Sequence, residues 1–150
     1  MKSERKAGVA VIEVKSVAQG VFMGYVGVRR GAPQGYGGLC FPGGYANKGE
    51  STLDATRRET FEELGVMPKG EWSLIAKKRI QGVVEIDFWH LLVPWSTCFI
   101  ERTAPCPREV LGVEIMTAGD CLVFPVQQEV FSNLVAKRLS EFNSERILSF

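Results

Sequence analysis

Phe41-Pro42-Gly43-Gly44-Tyr45-Ala46-Asn47-Lys48-Gly49-Glu50 runs into Ser51-Thr52-Leu53-Asp54-Ala55-Thr56-Arg57-Arg58-Glu59-Thr60-Phe61-Glu62-Glu63-Leu64-Gly65-Val66, and this stretch decides how the rest of the chain is read. Its second half predicts a helix with marked ends. Ser51 can accept a hydrogen bond as N-cap with Asp54 three residues on, and Gly65 can adopt the left-handed conformation that stops a helix. Gly43-Gly44 predicts a turn just before it. Within the helix Glu59, Glu62 and Glu63 stand at i, i+3 and i+4, so at about 100° per residue they fall on one face. Like charges that close cost an isolated helix about 0.2–0.5 kcal/mol per pair. On spacing alone two readings stay open: a cation site, or a solvated acidic face balanced by Arg57 and Arg58. Carboxylates without His or Cys suit a hard cation such as Mg²⁺ or Mn²⁺, which commonly bridges protein carboxylates and phosphate oxygens.

The wider stretch resembles the Nudix hydrolase signature G-x5-E-x7-R-E-U-x-E-E-x-G-U. Gly44 opens it, Glu50 is the first acid, Arg58 and Glu59 follow at the required spacing, Glu62 and Glu63 form the acidic pair, and Gly65 and Val66 close it. One position departs, Thr60, where the family has an aliphatic residue; a β-branched threonine can still pack there. The match spans about a sixth of the chain. The resemblance implies an α/β fold, the Nudix-type α/β/α sandwich with a mixed β-sheet, and Mg²⁺-dependent (or Mn²⁺-dependent) hydrolysis of a pyrophosphate bond. It implies that Glu59, Glu62 and Glu63 bind the metal or activate water, and that the carbonyl of Gly43 adds a ligand. It also makes Gly44 and Gly65 structural, and Arg58 the arginine that pairs with Glu50 and holds the loop to the helix. The general base differs among family members, and Glu109, after Pro105-Cys106-Pro107-Arg108, is the late-loop candidate beside the helix glutamates.

The remainder of the sequence agrees with one globular unit over residues 1–150. An apolar share of 45% is enough for a real core, and 18 Lys and Arg against 17 Asp and Glu leave a net charge of +1, without the basic footprint of a nucleic-acid binder. The charged start Met1 to Lys6 has no apolar leader, and no run of about 18 apolar residues exists, so a soluble cytoplasmic protein with no membrane partner is expected. Cys40, Cys98, Cys106 and Cys121 lack CxxC spacing and read as reduced, mostly buried thiols. His90 is the only histidine, and its apolar setting favours a satisfied sheet residue over a catalytic one. Gly8 to Val14, Val21 to Arg29, Leu39 to Phe41, Trp72 to Arg79, Val83 to Val93, Thr97 to Arg102 and Val110 to Met116 read as strands. Pro125 suits a helix N-terminus, and Val126 to Phe142 carries apolar residues in helical rhythm. The two helices predict cover on both sheet faces.

Two weaker patterns fail. Lys48-Gly49-Glu50 has the wrong order for a P-loop, and no helix directly follows Gly35-Tyr36-Gly37-Gly38, as a dinucleotide fingerprint requires. Tyr36 and Trp95 are the candidate aromatics for stacking on a substrate base, while Phe88 and Trp89 must point to opposite sheet faces, so that at least one is core. The stretch from Phe41 to Glu50 is similar to ADP-ribose pyrophosphatases. Yet Arg79-Ile80-Gln81-Gly82-Val83-Val84 lacks both the proline associated with ADP-ribose and the tyrosine associated with dinucleoside polyphosphates. The expected substrate is a small nucleotide: a nucleoside diphosphate linked to a group X, ADP-ribose-like or a nucleotide sugar. A nucleoside triphosphate pyrophosphohydrolase stays open, as does a homodimer. A non-catalytic nucleotide sensor of the same fold would be expected to lack box glutamates, and all four are present.

Overall fold

The computed structural model describes residues 4–16, 22–94 and 110–148. Two long strands, β1 (Arg5–Lys15) and β2 (Phe22–Arg30), pair antiparallel near their linked ends, Glu13 with Tyr25 and Lys15 with Phe22. Beyond that point they part. The short strands β3 (Leu39–Cys40) and β4 (Gly43–Tyr45) fill the gap, β3 pairing with β2 and β4 with β1. Helix α1 (Thr52–Leu64) follows, then β5 (Ser73–Ile80), β6 (Val84–Pro94), β7 (Val110–Met116) and helix α2 (Pro125–Leu148). The sheet runs β3-β2-β1-β6-β5, with β7 on β2. It is mixed, since β1 and β6 are parallel along their whole length while the other pairs are antiparallel.

Strand alternation assigns the two faces. Val9 and Val11 of β1 point with Phe88 into a core closed by Val130 and Phe131 of α2, whereas Ala10, Ile12 and Val14 pack with Leu91, Val93 and Leu64 of α1. A helix covers each face, giving the expected α/β/α sandwich. On the α2 face Tyr25, Phe41, Phe88 and Phe131 meet edge to face at 6.1 to 6.5 Å between ring centres, and burial of each such ring contributes about 1.5–3 kcal/mol. Phe88 and Trp89 do point to opposite faces: Phe88 is fully buried, and Trp89 donates its indole N–H to Thr52 at 3.1 Å under α1.

The α2 face also holds a buried charge cluster. Glu13 is fully buried, accepts from the Arg138 guanidinium, and lies 2.9 Å from His90 Nε2. Burial alone would raise its pKa, but the bonds from His90 and Arg138 outweigh that and hold the carboxyl below the usual range. Burial, followed by the charge of Glu13, pushes the neighbouring Tyr25 phenol up to about 12. His90 is thus the satisfied sheet histidine that its surroundings suggest.

The fold differs from the sequence reading at Gly43-Gly44, which forms strand β4 and not a turn. Gly43 is paired with Val9 and Gly44 with Gly8, and a Cβ on Gly43 would collide with the backbone of Gly8 and Val9. Glycine serves close approach here. The expected strand Thr97 to Arg102 lies outside the described residues. Cys40 is a buried free thiol and Cys121 an exposed one; Cys98 and Cys106 fall outside the described residues. Among the described residues no helix is long and apolar enough to cross a membrane.

Candidate active site

Helix α1 begins and ends as its sequence dictates. Ser51 Oγ accepts the Asp54 N–H at 3.1 Å, and Gly65 sits at φ 78° with its N–H bonded to the Phe61 carbonyl. The helix can lie close on the sheet because two paired glycines sit beneath it. A side chain on Gly8 would overlap the Thr52 carbonyl and the Thr56 hydroxyl, and one on Gly44 would come within 2.7 Å of the Glu59 carboxyl. Gly44 therefore sets the distance between Glu59 and β4.

Arg58 ties the loop to the helix. Its Nε and Nη2 donate to the two oxygens of Glu50, each at 3.0 Å, and Nη2 also reaches the Tyr45 carbonyl at 3.1 Å. Nη1 donates to Glu59 at 2.9 Å and, more weakly, to Glu62 at 3.4 and 3.5 Å. Glu50 further accepts from the Asn47 N–H at 2.9 Å, and the Arg58 bond, then this one, lower its pKa. The same bonds, led by Glu50, raise that of Arg58 above the ordinary arginine value. The expected Arg58–Glu50 pair is present, and it is bidentate, the geometry in which Arg and carboxylate bind best.

Glu59 and Glu63 line a cleft of about 670 Å³ together with Gly43 and Gly44. Glu62 does not line it: about half exposed, it turns toward Arg58. Helical geometry explains the divergence, since Glu63 is about 40° from Glu59 on the helix wheel, while Glu62 is about 60° away on the opposite side. Among the described residues no three His, Cys, Asp or Glu side chains are gathered as a ready metal cage, because Arg58 takes up Glu59 and Glu62. The donor chemistry still fits a hard cation: Glu59, Glu63 and the Gly43 backbone offer oxygen in one cleft, at a spot where only glycine fits beside Glu59. Cys40, also in the cleft wall, is pushed up to about 11 by burial, with the Glu63 charge adding.

Tyr36 is 68% exposed and does not line this cleft. Glu109 and Trp95 lie outside the described residues. Tyr45, Arg5, Arg30 and Phe124 line the cleft although nothing in the sequence pattern singled them out.

A NUDIX domain matches residues 5–134. The chain belongs to the NUDIX family. It is a Nudix hydrolase, and solved structures of related fold surround it. It is similar to the NUDIX domain of Shewanella oneidensis NrtR, solved in complex with ADP ribose, at 18% identity and TM-score 0.65, with 94% of this chain and 89% of that one covered. The MutT NUDIX hydrolase of Burkholderia pseudomallei has 18% identity and TM-score 0.66, over 87% of this chain and 97% of that one. The MutT/nudix family protein of Enterococcus faecalis has 18% identity and TM-score 0.62, over 77% of this chain; the match spans only 44% of that longer protein. No curated protein matches the sequence. At these identities the structural likeness speaks for the fold alone.

Proposed function

We propose that this Nudix hydrolase cleaves the pyrophosphate bond of a nucleoside diphosphate linked to a second moiety, ADP-ribose-like or a nucleotide sugar, with Mg²⁺ or Mn²⁺ as cofactor. The observation that carries the reading is the cleft in which Glu59 and Glu63 meet Gly43 and Gly44, at about 670 Å³. That volume lies within the range of small-molecule sites, roughly 300–1,000 Å³. The ADP ribose bound by the NUDIX domain of NrtR, a fold neighbour, supports the substrate class.

Glu59, Glu63 and the Gly43 carbonyl would hold the cation, with Glu62 joining from the rim. When bound, the cation supplies charge neutralisation at the pyrophosphate and an acidified water. The protein's own residues do the positioning. Arg58 fixes the Glu59 carboxyl by a direct bond and is itself fixed by Glu50, so the loop and the helix hold one geometry. The base that takes the proton of the attacking water is a box glutamate or Glu109.

Phosphate or nucleotide release across ADP-ribose, nucleotide sugars and nucleoside triphosphates, each with Mg²⁺, Mn²⁺ or excess EDTA, tests this. AMP released from ADP-ribose with either metal and none in EDTA is the expected result. Pyrophosphate released from triphosphates alone would move the substrate class, and full turnover in EDTA would overturn the metal dependence.

A further inference from the structure

Arg5, the first residue of β1, stands with its guanidinium carbon 3.4 Å above the centre of the Tyr45 ring, and both residues line the cleft. Three features make this arginine unlike an ordinary surface cation. Its main chain is fixed, because the Arg5 N–H donates to the Val83 carbonyl at 3.2 Å and Arg5 stands in register with Val84 of β6. Its side chain has a shelf, since the guanidinium stands over an aromatic face, and among the described residues its N–H donors make no hydrogen bond. Its charge is not neutralised among the described residues, where Arg5 makes no ion pair. The adjacent acid, Glu4, is committed to Arg79 at 2.7 Å and to the Gly82 N–H at 2.8 Å, and Glu59 is held by Arg58.

The shelf is joined to the box. The carbonyl of Tyr45 accepts from Arg58 Nη2 at 3.1 Å, so the ring that carries Arg5 belongs to the residue that Arg58 anchors. A planar cation with free donors, held on a residue two positions from Gly43, suits phosphate oxygens, which guanidinium recognises in bidentate fashion. We infer that Arg5, held over the Tyr45 ring, is a specificity-determining residue that binds the phosphate oxygens of the substrate's diphosphate in the cleft. This deepens the proposed function and rests on it for the identity of the substrate. Arg30 lines the same cleft at 4.9 Å above Phe124, but its Nε is already spent on the Gln34 carbonyl at 2.8 Å, which makes it the weaker anion ligand.

Calorimetric titration with inorganic pyrophosphate in EDTA isolates Arg5 from any metal. Arg5→Ala should weaken binding at least tenfold, Arg5→Lys should lie between it and the unaltered protein, and Arg30→Ala should cost less than threefold. Tyr45→Leu should weaken binding several-fold while Tyr45→Phe, which keeps the ring, should not; a thermal melt verifies that each variant is folded. With ADP-ribose and Mg²⁺, Arg5→Ala should raise KM about tenfold with kcat little changed, the signature of lost ground-state binding. Pyrophosphate affinity unchanged in Arg5→Ala, or no pyrophosphate binding by the unaltered protein, overturns the inference. If Arg5 governs pyrophosphate binding but no nucleoside diphosphate compound is turned over, the inference stands and the hydrolytic reading fails. If ADP-ribose is hydrolysed with the same KM in Arg5→Ala, the reverse holds.

Discussion

Two clusters of carboxylate and arginine lie on opposite faces of the sheet, and they are built on opposite principles. Under α2, Glu13 is fully buried and matched by Arg138, with His90 on the same carboxyl. At α1, Arg58 serves Glu50, Glu59 and Glu62, so three carboxylates share one guanidinium, and Glu63 stands in the cleft wall beside them. In the first cluster the carboxylate is closed to solvent and matched; in the second, several carboxylates crowd one arginine at the open cleft and its rim. A buried charge must be matched within the fold, because desolvation is otherwise too costly. An open cluster can remain unbalanced until a cation arrives. The difference separates a cluster buried under a helix from one left accessible at the cleft, where the proposed chemistry would take place.

The largest expected effect sharpens this contrast at its open end. Glu63→Gln and Glu62→Gln should each lower kcat about 100-fold, near 2.7 kcal/mol in the barrier. Removing a charge from a crowded cluster should meanwhile leave the metal-free melting temperature unchanged or raise stability by about 0.3 kcal/mol. The stabilisation that added Mg²⁺ provides should shrink. Turnover and melting, with and without Mg²⁺, check both; near-normal kcat in the two variants would make the α1 cluster a solvated acidic face.

The balanced cluster should behave in the opposite sense. Glu13→Gln removes the buried counter-charge of Arg138, which keeps only the more exposed Glu141 at 2.8 Å, a loss of about 2 kcal/mol once partial solvent access to Arg138 is allowed for, or roughly 4–8 °C in Tm. Activity below the melting range should persist. The pH dependence has a defined sign. The folded pKa of Glu13 is below its ordinary 4.5, so its stabilisation is fully present above that pH and is lost as pH falls through the folded value. The Tm gap between the unaltered protein and Glu13→Gln should therefore narrow below pH 4.5. A gap constant down to pH 3 would mean that the ion pair is not what holds α2 here.

These two clusters were unequally legible in the sequence. The α1 site could be read because its parts are local: Ser51, Arg58, Glu59 and Gly65 act over one helix, and Glu50 is only eight residues from Arg58. The Glu13–Arg138 contact spans 125 residues, and no local pattern encodes such a distance. Gly43-Gly44 misled for a related reason. Glycine pairs mark turns from sequence alone, whereas here the missing side chains serve contacts made by β1 and Glu59, which only the fold reveals. The same blindness favoured Tyr36, which ends up exposed, over Tyr45, whose ring meets Arg5 from forty residues earlier.

Arg58 stands between the two principles, since it stabilises the loop and also shapes the open cluster. Arg58→Lys keeps the charge but loses the bidentate bond to Glu50 and the reach to the Tyr45 carbonyl. A loss of about 1 kcal/mol in stability and about tenfold in kcat/KM is expected, read by melting and steady-state kinetics. Lysine performing as well as arginine would reduce Arg58 to a simple counter-charge.

The smallest effect concerns Thr60, the position where the box departs from an aliphatic residue. Thr60 is fully buried on the inner face of α1, and its hydroxyl donates to the Thr56 carbonyl at 2.7 Å. Its polarity is thus satisfied inside the helix, which explains why a hydroxyl is tolerated there. The bond is not essential, because the Thr56 carbonyl keeps its helical partner when the hydroxyl is removed, and such back-bonds add little or slightly disfavour the helix. Valine has nearly the same shape and would exchange a satisfied hydroxyl for a methyl in an apolar setting. Thr60→Val should therefore raise stability by up to about 1 kcal/mol, roughly 2–4 °C in Tm, with kcat unaltered. A fall in Tm would mean that the hydroxyl supports α1 through more than this bond. A fall in kcat at unchanged Tm would mean that the register of Glu59 and Glu63, one residue before and three after, depends on it, and the open cluster would then share the exact packing that marks the closed one.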